Sequence, residues 1–421
     1  MKVASLSMVF VLLGVMACGD SPPGIAGRIE YQFNGGPVSG AKVKVGNGPV
    51  VTTDPGGRFL VQAPGGPYDV TAVSADGSSA AVYVGLTRPD PIVSIPLEGP
   101  GSDVLIHSAV VTGRFVGGIG VPFPAGHTAQ GFFTGPASAA VQIADTTLRP
   151  DGTYTTLLNW RGDANLSGTL RVIEWLVDFS TGLPASFDAA GSVPVTIASG
   201  QRLTGKDINF TAVGNFRITG TISLAQGSAI VLRQLNASFP PSSDFATLGF
   251  DVSPDAAFDY PAFNVPGGVF NLTALVQDST GGVVQAWRAG FSPATPINLS
   301  VPAAPTFRAP AFSLDPGAVA GITLSWSALD GAVYDVVVHP LSVQPPTPGP
   351  VLRIVTGATT FELPDLSAMG VVWPRPASYR VDLLAAAPLS PDDIAGGLTQ
   401  LSQDHDGVLA QPAPIAFTTA P

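Results

Sequence analysis

One short segment occurs twice. Pro64-Gly65-Gly66-Pro67-Tyr68-Asp69-Val70-Thr71-Ala72-Val73 returns as Pro266-Gly267-Gly268-Val269-Phe270-Asn271-Leu272-Thr273-Ala274-Leu275, with five of ten positions identical. An internal copy means the chain is assembled from units, each with its own apolar face to bury. Pro-Gly-Gly makes a tight turn, and Tyr/Phe, Val/Leu and Val/Leu then alternate with the period of a half-buried strand. With Gly57-Arg58-Phe59-Leu60-Val61 entering the turn, the segment predicts a β-hairpin.

The units share their ends as well. Ile25-Ala26-Gly27-Arg28-Ile29, Val111-Thr112-Gly113-Arg114-Phe115 and Ile218-Thr219-Gly220-Thr221-Ile222 open three copies. Pro91-Ile92-Val93-Ser94-Ile95, Asp207-Ile208-Asn209-Phe210 and Pro296-Ile297-Asn298-Leu299 close them. The middle copy predicts a longer hairpin, Tyr154–Trp160 going out and Thr169–Trp175 returning. Three sandwiches of strands follow, covering 24–103, 104–213 and 214–313, with a different unit over 314–421.

Composition narrows the class. The 421 residues include 49 Gly and 41 Pro, which break helices and mark turns. They show no triplet period, so collagen is excluded. A hydrophobic share of 45% excludes a disordered chain. The net charge of −11, without a clustered basic stripe, argues against nucleic acid as a partner. The fold class expected is all-β, a tandem series of β-sandwich domains.

The first unit resembles the carboxypeptidase regulatory-like domain, a transthyretin-like (prealbumin-like) sandwich. The residues carrying the resemblance are Gly27-x-Ile29, Pro37-Val38-Ser39-Gly40-Ala41-Lys42-Val43-Lys44-Val45, Thr52-Thr53-Asp54-Pro55-Gly56-Gly57-Arg58-Phe59 and the Pro64–Val70 turn. The third unit keeps half of this string and the second keeps its layout. The resemblance implies non-catalytic modules, some of whose relatives bind carbohydrate. The fourth unit resembles a fibronectin type III domain through Ile322-Thr323-Leu324-Ser325-Trp326, Tyr334–Val338, Thr359–Leu363 and Tyr379–Leu383. It departs by an insertion around Met369–Ala377 and a long Pro-rich loop over 343–350. Trp326 is expected in the core.

At the N-terminus, Lys2 precedes an apolar stretch, Val3 to Ala17, too short to span a bilayer. It ends in Val15-Met16-Ala17-Cys18, which resembles the bacterial lipobox. The resemblance implies a signal peptide over 1–17, acylation of the Cys18 thiol and a lipidated tether over 18–23. Cys18 is the only cysteine, so no intramolecular disulfide competes for it. The expected partner is a lipid bilayer reached through acylated Cys18. Gly19 following Cys18, with Asp20 one place later, favours the outer over the inner membrane by the sorting rule of some Gram-negative bacteria.

Candidate chemistry is sparse. Asp163, Asn165, Ser167 and Glu174 match the oxygen spacing of a calcium loop, with Gly168 at its sixth position. The flanks read as strands and Arg171 stands at position nine, so a plain turn is expected and no metal is assigned. Arg161-Gly162-Asp163 is an adhesion-type tripeptide, and Asp404-His405-Asp406-Gly407 reads as an exposed turn. The four histidines are far apart in sequence, the adjacent carboxylates Asp392 and Asp393 should diverge, and no nucleophile elbow occurs. No catalytic residue and no cofactor are expected.

Trp160 and Trp175 could form a sugar platform if either ring is exposed. The function expected is a non-enzymatic structural, adhesion or spacer lipoprotein of the cell envelope. The alternatives are a carbohydrate-binding surface lipoprotein, then a cryptic hydrolase, with a glycan or another envelope protein as partner.

Overall fold

A computed structural model of the chain describes residues 24–32, 35–96, 106–120, 122–136, 141–149, 151–239, 245–264, 268–291, 296–309, 319–341, 349–374, 377–397 and 405–419. Cys18 and its tether lie outside the described residues, as do Asp404 and most of the Pro-rich loop. The architecture is all-β, a tandem of sandwiches in which helix is confined, among the described residues, to two short turns.

The first seven strands are β1 (Gly24–Tyr31), β2 (Lys42–Val45), β3 (Val50–Thr52), β4 (Arg58–Gln62), β5 (Tyr68–Val73), β6 (Ser79–Leu86) and β7 (Ile92–Ile95). They form two sheets, ordered β4-β1-β7 and β3-β2-β5-β6. Ile25, Ile29, Val43, Phe59, Val70 and Tyr83 fill the space between them.

The next group is β8 (His107–Gly117), β9 (His127–Thr134), β10 (Gln142–Leu148), β11 (Thr153–Trp160), β12 (Asn165–Asp178), β13 (Leu183–Ala198), β14 (Arg202–Leu203) and β15 (Ile208–Ala212). Here β15 pairs with both β8 and β13, which joins the two layers into one sheet, β10-β11-β8-β15-β13-β12-β9.

The third group restores the first pattern. Its strands are β16 (Asn215–Leu224), β17 (Ser228–Ser238), β18 (Phe245–Asp251), β19 (Ala257–Phe263), β20 (Val269–Asp278), β21 (Val283–Phe291) and β22 (Ile297–Val301). The orders β19-β16-β22 and β18-β17-β20-β21 repeat those of β1–β7 strand for strand.

The expected hairpin is not one. The Pro64–Pro67 turn joins β4 to β5, which belong to opposite sheets, and the same holds for β19 to β20, while β11 and β12 share one sheet but are not paired neighbours. Alternation reports which face a strand buries, and Phe59 and Val70 do face one core. It does not report which strand is the hydrogen-bonding neighbour. The paired neighbours are β5·β6, β20·β21 and β12·β13.

The glycine in each opening strand has a packing cause. A Cβ on Gly27 would overlap the Phe59 ring, on Gly113 the Tyr154 ring and on Gly220 the Phe258 ring. At all three it would also overlap a carbonyl in or just before the closing segment, at Pro91, Lys206 and Ile297. The motif therefore records an aromatic ring lying across a bare backbone.

The last group comprises β23 (Phe307–Ala309), β24 (Thr323–Trp326), β25 (Val333–Pro340), β26 (Val351–Thr356), β27 (Thr360–Glu362), β28 (Ala377–Ala387), helix α1 (Pro391–Ala395), β29 (Gly407–Gln411) and β30 (Ile415–Thr419). One sheet is β23-β24-β27. The other carries β26-β25-β28, with β29 and β30 both beside β28. Trp326 is 1% exposed, as its strand position predicts.

This last sheet does not end at its own edges. β26 pairs in parallel with β6, and β29 pairs antiparallel with β21. A single sheet of 13 strands thus runs through the third, fourth and first sandwiches.

Candidate functional site

The residues singled out in the sequence do not converge. Glu174 sits inside β12, paired with Ala129 and Ala189, and is 1% exposed. Its carboxylate accepts a hydrogen bond from the Ile119 amide at 3.2 Å. Ser167 lies seven residues earlier on the same strand, which at roughly 3.3 Å per residue separates the two by about 23 Å. Asp163 precedes the strand and Asn165 begins it. An EF-loop must fold back on itself, whereas β12 runs extended from Asn165 to Asp178 and keeps Ser167 and Glu174 apart.

The 161–163 turn is exposed, but its carbonyls are engaged. His107 Nε2 donates to Gly162 O at 3.0 Å and Trp160 Nε1 to Asp163 O at 2.8 Å.

Neither Trp160 nor Trp175 offers a platform. Trp160 is 1% exposed, with the His107 ring 5.5 Å away. Trp175 is half-buried against the main core. Trp287 and Trp326 are buried and Trp373 is half-buried, so no tryptophan is fully exposed.

Two histidines are paired with carboxylates, His127 Nδ1 with Asp188 at 2.8 Å and His339 Nε2 with Asp382 at 2.7 Å. Asp382 also holds Arg380 at 2.7 Å, making that group an ion-paired cluster across β25 and β28. Burial pushes the Glu174 carboxyl up, against the opposing effect of the Ile119 amide.

The structure instead gathers polar side chains at the junction of the first and fourth sandwiches. Arg353 on β26 is 7% exposed and grips Asp335 of β25 at 2.9 Å through Nε and at 2.7 Å through Nη2. Its Nη1 donates to Tyr83 Oη at 3.0 Å and to Ser94 O at 3.3 Å, both in the first sandwich. Burial pushes the Tyr83 hydroxyl up, so it stays neutral and accepts. A planar guanidinium with several fixed donors suits such a buried crossing.

Three further contacts surround this one. Lys42 Nζ donates to Met369 O at 3.0 Å. Gly77 lies so close to the Gly370 carbonyl that a Cβ would overlap it. Asp392 accepts from Thr87 N at 2.9 Å, from the Thr87 hydroxyl and from Arg88 N at 3.3 Å. Asp392 and Asp393 lie on the first turn of α1, not on a strand or loop. There Asp393 completes a capping box with Ser390 and frees Asp392 to face the first sandwich.

Sequence reasoning passed over this junction, although signals existed. β6 (Ser-Ala-Ala-Val-Tyr-Val-Gly-Leu) and β26 (Val-Leu-Arg-Ile-Val-Thr) lack strict polar alternation, and their burial runs almost unbroken. That is the mark of strands covered on both faces, as parallel strands usually are. The insertion near Met369 also marked the surface that docks.

No family model matches the chain, and no curated protein matches it by sequence. Among solved structures it is similar to the major pilin subunit of Bacillus cereus at 9% identity and a TM-score of 0.13, covering 66% of this chain and 98% of that one. It is similar to a streptococcal ancillary pilin at 8% and 0.15, covering 66% and 98%. A domain segment of titin aligns at 10% and 0.15, covering 74% and 97%. Scores this low carry no functional argument.

Proposed function

We propose that this chain is a non-enzymatic structural or adhesion lipoprotein of the cell envelope, exported and held to a bilayer by acylated Cys18, with the outer membrane preferred. The units would be those read from the sequence, three regulatory-like sandwiches followed by one of fibronectin type III kind. The observation that carries the mechanical half is the 13-stranded sheet joining three sandwiches. A sheet resists shear through many backbone hydrogen bonds at once, which suits a stiff spacer better than beads on a flexible linker. The anchor half rests on Val15-Met16-Ala17-Cys18. Two or more acyl chains hold a protein to a bilayer stably where one does not.

The test is metabolic labelling with an alkyne fatty acid in a bacterial host, followed by mass analysis of the N-terminal peptide. Label on a mature chain beginning at Cys18, absent in Cys18→Ser, is the expected result. An unmodified Cys18 thiol on an exported chain would overturn the anchor.

A further inference from the structure

The second sandwich carries a surface groove of about 520 Å³ that none of the readings above uses. Its floor follows from strand period. On β8, Val111 and Phe115 point inward, so Thr112 and Arg114 point out. On β11, Tyr154 and Thr156 point inward, so Thr153 and Thr155 point out. The antiparallel register sets Arg114 opposite Thr153 and Thr112 opposite Thr155. On the other side of β8, the parallel strand β14 brings in Arg202. Arg149 enters from the turn before β11, whose amide donates to Thr153 O at 2.8 Å. Three arginines and three threonines therefore line one open face.

Charge makes this placement unusual for the chain. The protein has 19 Lys and Arg against 30 Asp and Glu. Arg28, Arg88, Arg217, Arg233, Arg353 and Arg380 each have a carboxylate partner. Arg114, Arg149 and Arg202 are exposed, and among the described residues none of them has a carboxylate within salt-bridge distance. Two acids stand at the rim. Asp207 accepts from the Arg114 amide at 2.9 Å. Asp151 accepts from the Thr153 amide at 3.0 Å and hydroxyl at 2.7 Å. Both acids hold local hydrogen bonds, and the charges of Arg114 and Arg149 help to hold the Asp151 carboxyl down, while the three arginine side chains stay exposed.

We propose that this face binds an acidic polysaccharide, its carboxylates taken by Arg114, Arg149 and Arg202 and its hydroxyls by Thr112, Thr153 and Thr155. Guanidinium groups match carboxylate geometry, and threonine hydroxyls both donate and accept. The groove is open to solvent. The proposal is independent of how the chain is anchored, and it needs no exposed tryptophan.

The test is calorimetric titration of the full-length chain in detergent with polygalacturonate, with neutral dextran of equal length and inorganic phosphate as comparison probes. Polygalacturonate binding that dextran does not reproduce is expected, weakening as salt screens the charges. The triple variant R114Q/R149Q/R202Q should bind at least about tenfold more weakly. A matched variant of exposed arginines elsewhere, R58Q/R308Q, should bind as the parent does. All five residues are exposed, so melting curves should coincide with the parent's. Equal binding by dextran, an unaffected triple variant or complete displacement of the polymer by phosphate would each overturn the proposal.

Discussion

The two kinds of junction in this molecule are built from different material. Between the first and fourth sandwiches, β6 and β26 share backbone hydrogen bonds over Ser79–Tyr83 and Val351–Val355, and Arg353 crosses beneath them. Between the second and third, the contact is made of rings. Phe187 lies 4.7 Å from Phe263, Phe132 lies 5.0 Å from Phe239, and the Arg171 guanidinium stands 4.5 Å over Phe239. The Asn215 side chain bonds both the amide and the carbonyl of Phe187, at 2.8 and 2.7 Å, as a strand neighbour would. Backbone pairing aligns sheets rigidly and is nearly indifferent to side chains. Ring packing is specified by side chains and leaves each sheet its own edge.

Arg353→Ala tests this contrast with the largest expected effect. It leaves Asp335 without its partner, which costs about 3–5 kcal/mol for a buried pair. Urea denaturation should show the loss, and hydrogen exchange should show it in β6 and β26 while the Phe187–Phe263 contact stays protected. Phe187→Ala should do the reverse. Removing this 2% exposed ring costs about 3 kcal/mol and should loosen β13 against β19 without opening β6. Equal loosening at both junctions in either variant would break the comparison.

Smaller effects come from two carboxyls with opposite pH trends. Burial pushes the Asp392 carboxyl up, but hydrogen bonds from Thr87 and Arg88 outweigh it and leave the group below its ordinary value. Its contribution is present above about pH 3.9 and lost as pH falls through the lower folded value. Asp392→Asn should weaken the first–fourth junction by about 1 kcal/mol at neutral pH and flatten its acid transition. Glu174 is raised by burial, so its contribution is present in acid and lost as pH rises through the folded value. Glu174→Gln should therefore stabilise the second sandwich at neutral pH by about 1 kcal/mol, and less in acid. Thermal melts at about pH 2, pH 4 and pH 7 check both signs, the lowest for Asp392 and the upper two for Glu174.

What the sequence disclosed follows the same division. The repeated opening strands were legible because a ring must lie on each Gly, and Trp326 was legible because large apolar side chains mark a core. Strand partners were not. The Pro64–Pro67 turn reads alike whether the chain doubles back in one sheet or crosses to the other. The β6·β26 pairing lies between residues some 270 positions apart and leaves only the lost alternation of both strands as a trace. The calcium-like spacing counts residues along the chain, whereas Ser167 and Glu174 stand far apart along an extended strand. The arginine groove stayed hidden because Arg114, Arg149 and Arg202 come from three separate segments, which only the register of β8 brings together.

Backbone hydrogen exchange on the full-length chain, read at single-residue resolution across β6 and β26, tests the shared sheet most directly. Amides of both strands should exchange as slowly as those of β2 and β5 inside the first sandwich. Exchange in β26 as fast as in an open sheet edge would show that the sandwiches do not share a sheet, and the stiff-spacer account would fall with it.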